Sequence, residues 1–313
     1  MTSNLKIAIL GATGHIAKNI IRGFSEKGEY ELFLFARNTE SVEKFVTLHT
    51  QTNVSIHIYD ISHFTNFSYD VIINCIGIGD PAKLRNIGGT LFILTEKFDN
   101  LILDHLTNNT PDALYVNLSS GVAYGSNFSL PADSNKASII DINSISSTDY
   151  YTISKINTEA KHRAYSNLNI VDLRVFGFFS RFIDLKTPYF MSDLVNCILQ
   201  KREFLTGNND MVRDYVHPID LIHLIEHCIR AKKINDVFDV YSLEPISKFK
   251  LIDYFIQNYD LRVNISNENI LTSPTGIKSN YYSQNKRAES IGYKPLYRSI
   301  DSLTSELDAI LRV

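Results

Sequence analysis

Leu5-Lys6-Ile7-Ala8-Ile9-Leu10-Gly11-Ala12-Thr13-Gly14-His15-Ile16-Ala17 is the stretch on which the architecture turns. An apolar run of strand length passes straight into a glycine-punctuated turn, and a helix-compatible segment follows to about residue 26. Gly11 permits the sharp turn, Gly14 lets a pyrophosphate approach the helix N-terminus, and the small Ala17 lets that helix pack close to a sheet. A glycine triplet alone carries little information, but between a strand and a helix it reads as a dinucleotide-binding turn. Gly11, Thr13, Gly14, His15 and Ile16 are therefore cofactor-contact candidates, His15 through its backbone.

Outward from this turn, β-branched runs at 6–10, 32–36, 55–59, 71–76, 113–119 and 169–176 alternate with helical stretches. That alternation is the pattern of βαβ crossovers, so a doubly wound parallel α/β sheet is expected over 1–177. Beyond Gly177 strands become sparse, and helices at 191–201 and 218–233 flank a loop rich in Gly and Asn. A smaller, mixed α/β C-terminal substrate lobe is expected over 178–313, with some segments returning to the main sheet and a ligand cleft between the two.

The 313 residues are 44% apolar and 21% charged, a composition that excludes disorder and a membrane bundle. With 31 basic against 34 acidic side chains there is no surplus of positive charge for a nucleic-acid partner. Cys75, Cys197 and Cys228 have neither paired nor metal-ligand spacing, so they are expected to be reduced, and no metal site is expected. The first strand begins within five residues of Met1 and no apolar run reaches membrane-spanning length. A cytoplasmic protein with no membrane partner is the expectation.

The second strand ends in Ala36-Arg37-Asn38, where an NAD-selective site would place an acid for the ribose 2′-hydroxyl. Arg37 is suited instead to a 2′-phosphate, because its guanidinium is planar and permanently charged. NADP(H) is thus the preferred cofactor, with NAD(H) possible. Asp60 and Ile61, after the third strand, are candidates for the adenine, and Cys75, Ile76 and Gly77, after the fourth, for the ribose.

Candidate catalytic residues are Ser120, Tyr151 and Lys155. Tyr151 and Lys155 are four apart and share a helix face, where an ammonium beside a phenol assists proton exchange. With 17 tyrosines in the chain, that spacing arises about once by chance. A second copy, Tyr282 and Lys286, lies far from the nucleotide turn. Ser119 and Ser120 close the fifth strand, at the carboxyl edge where open α/β sheets bind ligands.

These segments resemble the extended short-chain dehydrogenase/reductase family, in particular its enzymes of nucleotide-activated sugars. The resemblance runs nearly end to end. It includes the glycine turn, Leu118-Ser119-Ser120-Gly121-Val122-Ala123-Tyr124-Gly125, Tyr151-Thr152-Ile153-Ser154-Lys155, Val212-Arg213-Asp214-Tyr215-Val216-His217-Pro218-Ile219-Asp220 and Ile291-Gly292-Tyr293-Lys294-Pro295. It implies a Rossmann fold, a nucleotide-sugar substrate, a diphosphate contact by Arg213, and substrate contacts by Ser120, Tyr124 and Tyr151. It also implies a homodimer through helices at 89–108 and 151–165.

Departures from the family pattern narrow the reaction. Gly121 and Val122 stand where sugar 4,6-dehydratases carry an Asp-Glu pair, and Val122 where the epimerase-reductases carry a cysteine, so neither relay is present. Gly177 stands where the family often has an asparagine, which leaves the diphosphate pose open. The expectation is an NADPH-dependent reductase of a nucleotide-linked 4-keto, 6-deoxy sugar. A C4 epimerase or dehydrogenase that retains NAD, and a non-catalytic dinucleotide sensor, are the alternatives.

Overall fold

Ile7 and Ile9 of the first strand join one hydrophobic core and Ala8 and Leu10 join another, and all four are fully buried. A strand buried on both faces belongs inside a parallel sheet covered by helices. The computed structural model describes residues 4–79, 81–231, 233–266 and 278–312.

In chain order the elements are β1 (Leu5–Leu10), α1 (His15–Lys27), β2 (Tyr30–Phe35), α2 (Thr39–His49), β3 (Ile56–Tyr59), β4 (Val71–Asn74), α3 (Pro81–Ile87), α4 (Thr90–Asn108), β5 (Leu114–Ser120), α5 (Tyr150–Ala164) and β6 (Asn169–Val175). There follow α6 (Phe190–Gln200), β7 (Glu203–Gly207), β8 (Val212–Arg213), α7 (Pro218–Arg230), β9 (Asn235–Val240), β10 (Ile246–Ser247), α8 (Lys248–Tyr259), β11 (Arg262–Ser266), β12 (Asn280–Tyr281) and α9 (Ser299–Leu311). Seven parallel strands form the main sheet in the order β3-β2-β1-β4-β5-β6-β9. The strand order reverses beside β1, which opens a crevice between the ends of β1 and β4.

The expected strands all form, with ends displaced by a residue or two. The largest displacement has a local cause. Residues 71–76 read as one apolar run, but β4 stops at Asn74, whose Oδ1 accepts from the Ile76 amide at 3.0 Å and turns the chain outward. Gly11 lies beneath that turn at φ 76°, where an added Cβ would stand 3.1 Å from the Cys75 carbonyl, so both its angle and its surroundings call for glycine.

After β6 the chain builds a second layer. β8 pairs with β10 and β12, β7 pairs with β11, and α6, α8 and α9 enclose a separate core around Phe179, Leu194, Phe204, Phe255 and Leu303. β9 then returns to the edge of the main sheet, and α7 buries Leu221, Ile222 and Ile225 in the core that α1 covers.

Behind the sheet, His162 of α5 is fully buried between Asp99 of α4 and Asp172 of β6, at 2.7 and 2.9 Å. Lys161 and Arg163 pair with the other carboxylate oxygens at 2.5 and 2.9 Å. Burial alone would favour the neutral ring, but hydrogen bonds and charge from the two carboxylates prevail and raise His162 to about 9. The folded ring keeps its proton to a higher pH than the unfolded one, so its stabilisation is complete below about pH 6.5 and fades as pH rises to about 9. Unfolding free energy should therefore decline across that window, and decline less in His162→Gln. Equal slopes for the two proteins would assign the titration elsewhere.

Candidate active site

The glycine turn is held by two backbone bonds, Gly11 and Ala12 amides to the Phe35 carbonyl at 2.9 and 3.1 Å, which seat it against the end of β2. Gly14 caps α1 without a side-chain acceptor, so amides of the first helical turn are left for an anionic ligand. Thr13 is exposed beside them and Ile16 half-buried. The His15 ring faces away into the protein: its Nε2 meets Ser180 Oγ at 2.7 Å and its edge meets Phe178. Burial, with the charge of Lys18, lowers it to about 4. Its imidazole is therefore a neutral structural group, and only its backbone lies on the turn.

Arg37, just past β2, is exposed and makes no hydrogen bond or ion pair with a described residue. Asp60 caps the short 3-10 segment Ile61–Asn66, accepting from the Ser62 amide at 2.9 Å and its hydroxyl at 2.7 Å, and these bonds hold its carboxyl below the usual range. Ile61, Cys75 and Ile76 are half-buried along the same crevice edge, and the Cys75 thiol is pushed up by burial. Gly77 is exposed, with no described atom within 4 Å of a notional Cβ.

Ser120 is the last residue of β5. Its Oγ accepts from the Val122 amide at 3.4 Å and lies 3.3 Å from the Tyr281 hydroxyl. Across the crevice α5 presents Tyr151 in its first turn and Lys155 one turn on. Lys155 Nζ donates to the Leu118 carbonyl at 2.9 Å and lies 5.8 Å from the Tyr151 ring centroid. The helix is clamped one turn further along, where Glu159 accepts from Ser119 Oγ at 2.5 Å and from Arg174 of β6 through both carboxylate oxygens. The end of β5 and α5 are thus fixed by a partly buried, bidentate ion pair.

The second Tyr/Lys pair does not share this crevice. Lys286 Nζ sits over the Tyr241 ring at 3.6 Å, and Tyr241 packs on Tyr293 within the core under α7.

Tyr124, expected to touch substrate, is buried, donates to Asp239 Oδ2 at 2.9 Å and accepts from Asn285 at 3.1 Å. Its hydroxyl is engaged inside the protein by these two partners. The phenol that reaches Ser120 is Tyr281, brought in by β12 from the C-terminal layer. Burial raises it well above the ordinary range, and nearby Tyr151 adds to the effect. Tyr281 packs on Phe128 and Phe176 to form an aromatic wall beside the serine.

Arg213 of β8 donates from Nη1 to the Val212 and Lys278 carbonyls at 2.8 and 2.6 Å and lies over the Tyr281 ring. No described carboxylate pairs with it. Its neighbour Asp214 turns the other way, fully engaged by the Ser242 amide and Ser299 hydroxyl. Gly177 also has a structural reason: a Cβ there would stand 2.4 Å from the Asp214 carbonyl oxygen, so the asparagine of the resembled pattern cannot occupy this crossing. Among the described residues no three His, Cys, Asp or Glu side chains converge as a metal site, and no helix is long and apolar enough to cross a membrane.

A glycine turn at the reversal of a parallel sheet, facing a Ser/Tyr/Lys set, defines an enzyme of the extended short-chain dehydrogenase/reductase type. The chain belongs to the NAD dependent epimerase/dehydratase family, whose model matches residues 7–243. No curated protein sequence matches it. Solved structures share its fold. UDP-N-acetylglucosamine 4-epimerase from Methanobrevibacter ruminantium is 15% identical, at TM-score 0.79 over 99% of each chain. UDP-glucuronic acid 4-epimerase from Bacillus cereus, solved with UDP-glucuronic acid and NAD, is 17% identical at TM-score 0.77, over 98% of this chain and 99% of that one. dTDP-glucose 4,6-dehydratase from Bacillus anthracis, solved with NAD, is 14% identical at TM-score 0.75, over 98% and 97%.

Proposed function

We propose that the protein is an NADP(H)-dependent oxidoreductase that reduces the 4-keto group of a nucleotide-linked, 6-deoxy sugar. The observation that carries this reading is the single proton-donating set at the crevice: Gly121 and Val122 follow Ser120, so the carboxylates or cysteine needed for elimination or a second proton transfer do not stand there. The dinucleotide fits the residues present, since Gly11 takes the left-handed turn and Gly14 leaves its helix cap free of a side-chain acceptor. Arg37 and Asp60 flank its adenosine end, and Cys75, Ile76 and Gly77 its ribose.

The nicotinamide supplies hydride when bound. Ser120 donates a hydrogen bond to the carbonyl oxygen as charge grows on it, and Tyr151 delivers the proton to that oxygen. Lys155, anchored to Leu118, keeps two N–H groups for the ribose and the phenol. The reading includes a homodimer through α4 and α5; Ile93 of α4 is 69% exposed.

Incubation with NADPH and a panel of nucleotide-linked 4-keto sugars, followed by loss of nicotinamide absorbance, tests reaction, cofactor and substrate class together. A second reading, a C4 epimerase retaining NAD, is favoured by two of the structural neighbours named above being 4-epimerases. Oxidised NAD released from purified protein on denaturation, with no NADPH consumed, would establish it in place of the reductase.

Arg37 gives a separate test. Arg37→Asp removes the counter-charge of a 2′-phosphate and sets a like charge against it, so preference should move toward NADH by about tenfold to a hundredfold in kcat/KM. An unmoved ratio would leave Arg37 an ordinary surface residue.

A further inference from the structure

Among the described residues, Tyr281 is the phenol whose hydroxyl reaches Ser120 Oγ, and it lies beyond the segment that the family model matches. Its backbone is clamped from two sides. On one, β12 pairs Tyr281 with Arg213 of β8; on the other, Asn280 donates from its amide to the Phe128 carbonyl at 2.8 Å and from Nδ2 to the Ser129 carbonyl at 2.6 Å. The carbonyl of Tyr282 accepts from the Ala132 amide at 2.9 Å. Phe128 and Phe176 hold the Tyr281 ring at centroid distances of 4.7 and 5.2 Å. A side chain locked in this way at the crevice keeps its hydroxyl in one place.

The hydrogen-bonding capacity of Ser120 gives that hydroxyl a task. A serine oxygen has two lone pairs and one hydrogen. One lone pair takes the Val122 amide, and a ketone has no hydrogen to offer the other. Tyr281, at 3.3 Å, can fill it, and Ser120 is then left with only its own O–H for an acceptor in the crevice. In the opposite sense Ser120 would use its hydrogen on Tyr281 and present a carbonyl with lone pairs alone. Burial raises the Tyr281 phenol well above the ordinary range, so it shares its proton without transferring it. Two hydroxyls in series polarise one another, and the chain strengthens as negative charge grows on the substrate oxygen.

We infer that Tyr281 is a positioning residue for the reaction: by donating to Ser120 Oγ it commits the serine hydrogen to the carbonyl oxygen of the substrate. The inference rests on the reductase reading above and adds to it a residue supplied by the C-terminal layer.

The test is a double-mutant cycle on NADPH oxidation, run with the panel of nucleotide-linked 4-keto sugars on wild type, Tyr281→Phe, Ser120→Ala and the double variant. Tyr281→Phe should lower kcat about tenfold with KM within about twofold, and Ser120→Ala should lower kcat about 10²-fold. The double variant should match Ser120→Ala within about twofold, because the lost hydroxyl acts only through the serine. Unfolding temperatures confirm the fold, and Tyr281→Leu replaces the phenylalanine variant should that one unfold. An equal loss in both backgrounds makes Tyr281 act independently of Ser120 and overturns the inference. So does a Tyr281→Phe enzyme that turns over like wild type or changes in KM alone. Wild type that oxidises NADPH with none of the sugars overturns the reductase reading itself, and with it the step that the Ser120 hydrogen serves.

Discussion

Tyr151→Phe should lower turnover by about 10²-fold or more while leaving NADPH affinity within about twofold. The substitution keeps the ring and removes only the hydroxyl proposed as the proton donor. Lys155 is held by the Leu118 carbonyl and α5 by the Glu159–Arg174 pair, so neither the cofactor site nor the helix register depends on the lost hydroxyl. Tyr281 is the phenol within reach of Ser120, but it is buried and raised well above the ordinary range, which makes it a poor donor at neutral pH. Single-turnover measurement of nicotinamide oxidation, with NADPH binding measured separately, checks the prediction. Turnover equal to wild type would remove Tyr151 from the mechanism.

Asp172→Ala should cost about 3–5 kcal/mol of folding stability, as expected when one member of a buried ionic cluster is removed. The fully buried carboxylate accepts from Asn117 at 2.7 Å, from His162 at 2.9 Å and from Arg163 at 2.9 Å. Alanine would leave an amide and two cationic groups with unmet hydrogen bonds in a region sealed by α4 and α5. Urea unfolding measures the change. A loss below about 1 kcal/mol would mean that water takes the place of the carboxylate.

What the sequence discloses depends on how far apart the cooperating residues lie along it. The Gly11–Ala17 turn and the Tyr151/Lys155 pair are each contained in one strand-turn-helix unit or one helix turn, so local spacing brings them forward, and their place in the order of strands separates them from the second copy at Tyr282 and Lys286. Ser120 follows from the strand that ends in it. Tyr281 gives no such signal, because β12 reaches the crevice only by pairing with β8, whose partner residues are Val212 and Arg213. The partners of Tyr124, Asp239 and Asn285, likewise come from distant segments that no local pattern connects to it. Gly177 is legible as a departure but not as a cause, since the constraint on it is a carbonyl from Asp214. The His162 cluster joins α4, α5 and β6, and no local pattern marks it.

The neighbour relation between β6 and β9 bears on any attempt to divide the protein. A fragment ending at residue 177 retains the glycine turn and the Ser120, Tyr151 and Lys155 set, yet it strips β6 of its outer ladder partner β9 and uncovers the apolar surface that α7 protects. Such a fragment is expected to aggregate instead of binding dinucleotide. Split-protein complementation or circular permutation would have to break the chain at an exposed loop tip and keep residues 218–240 with the first half.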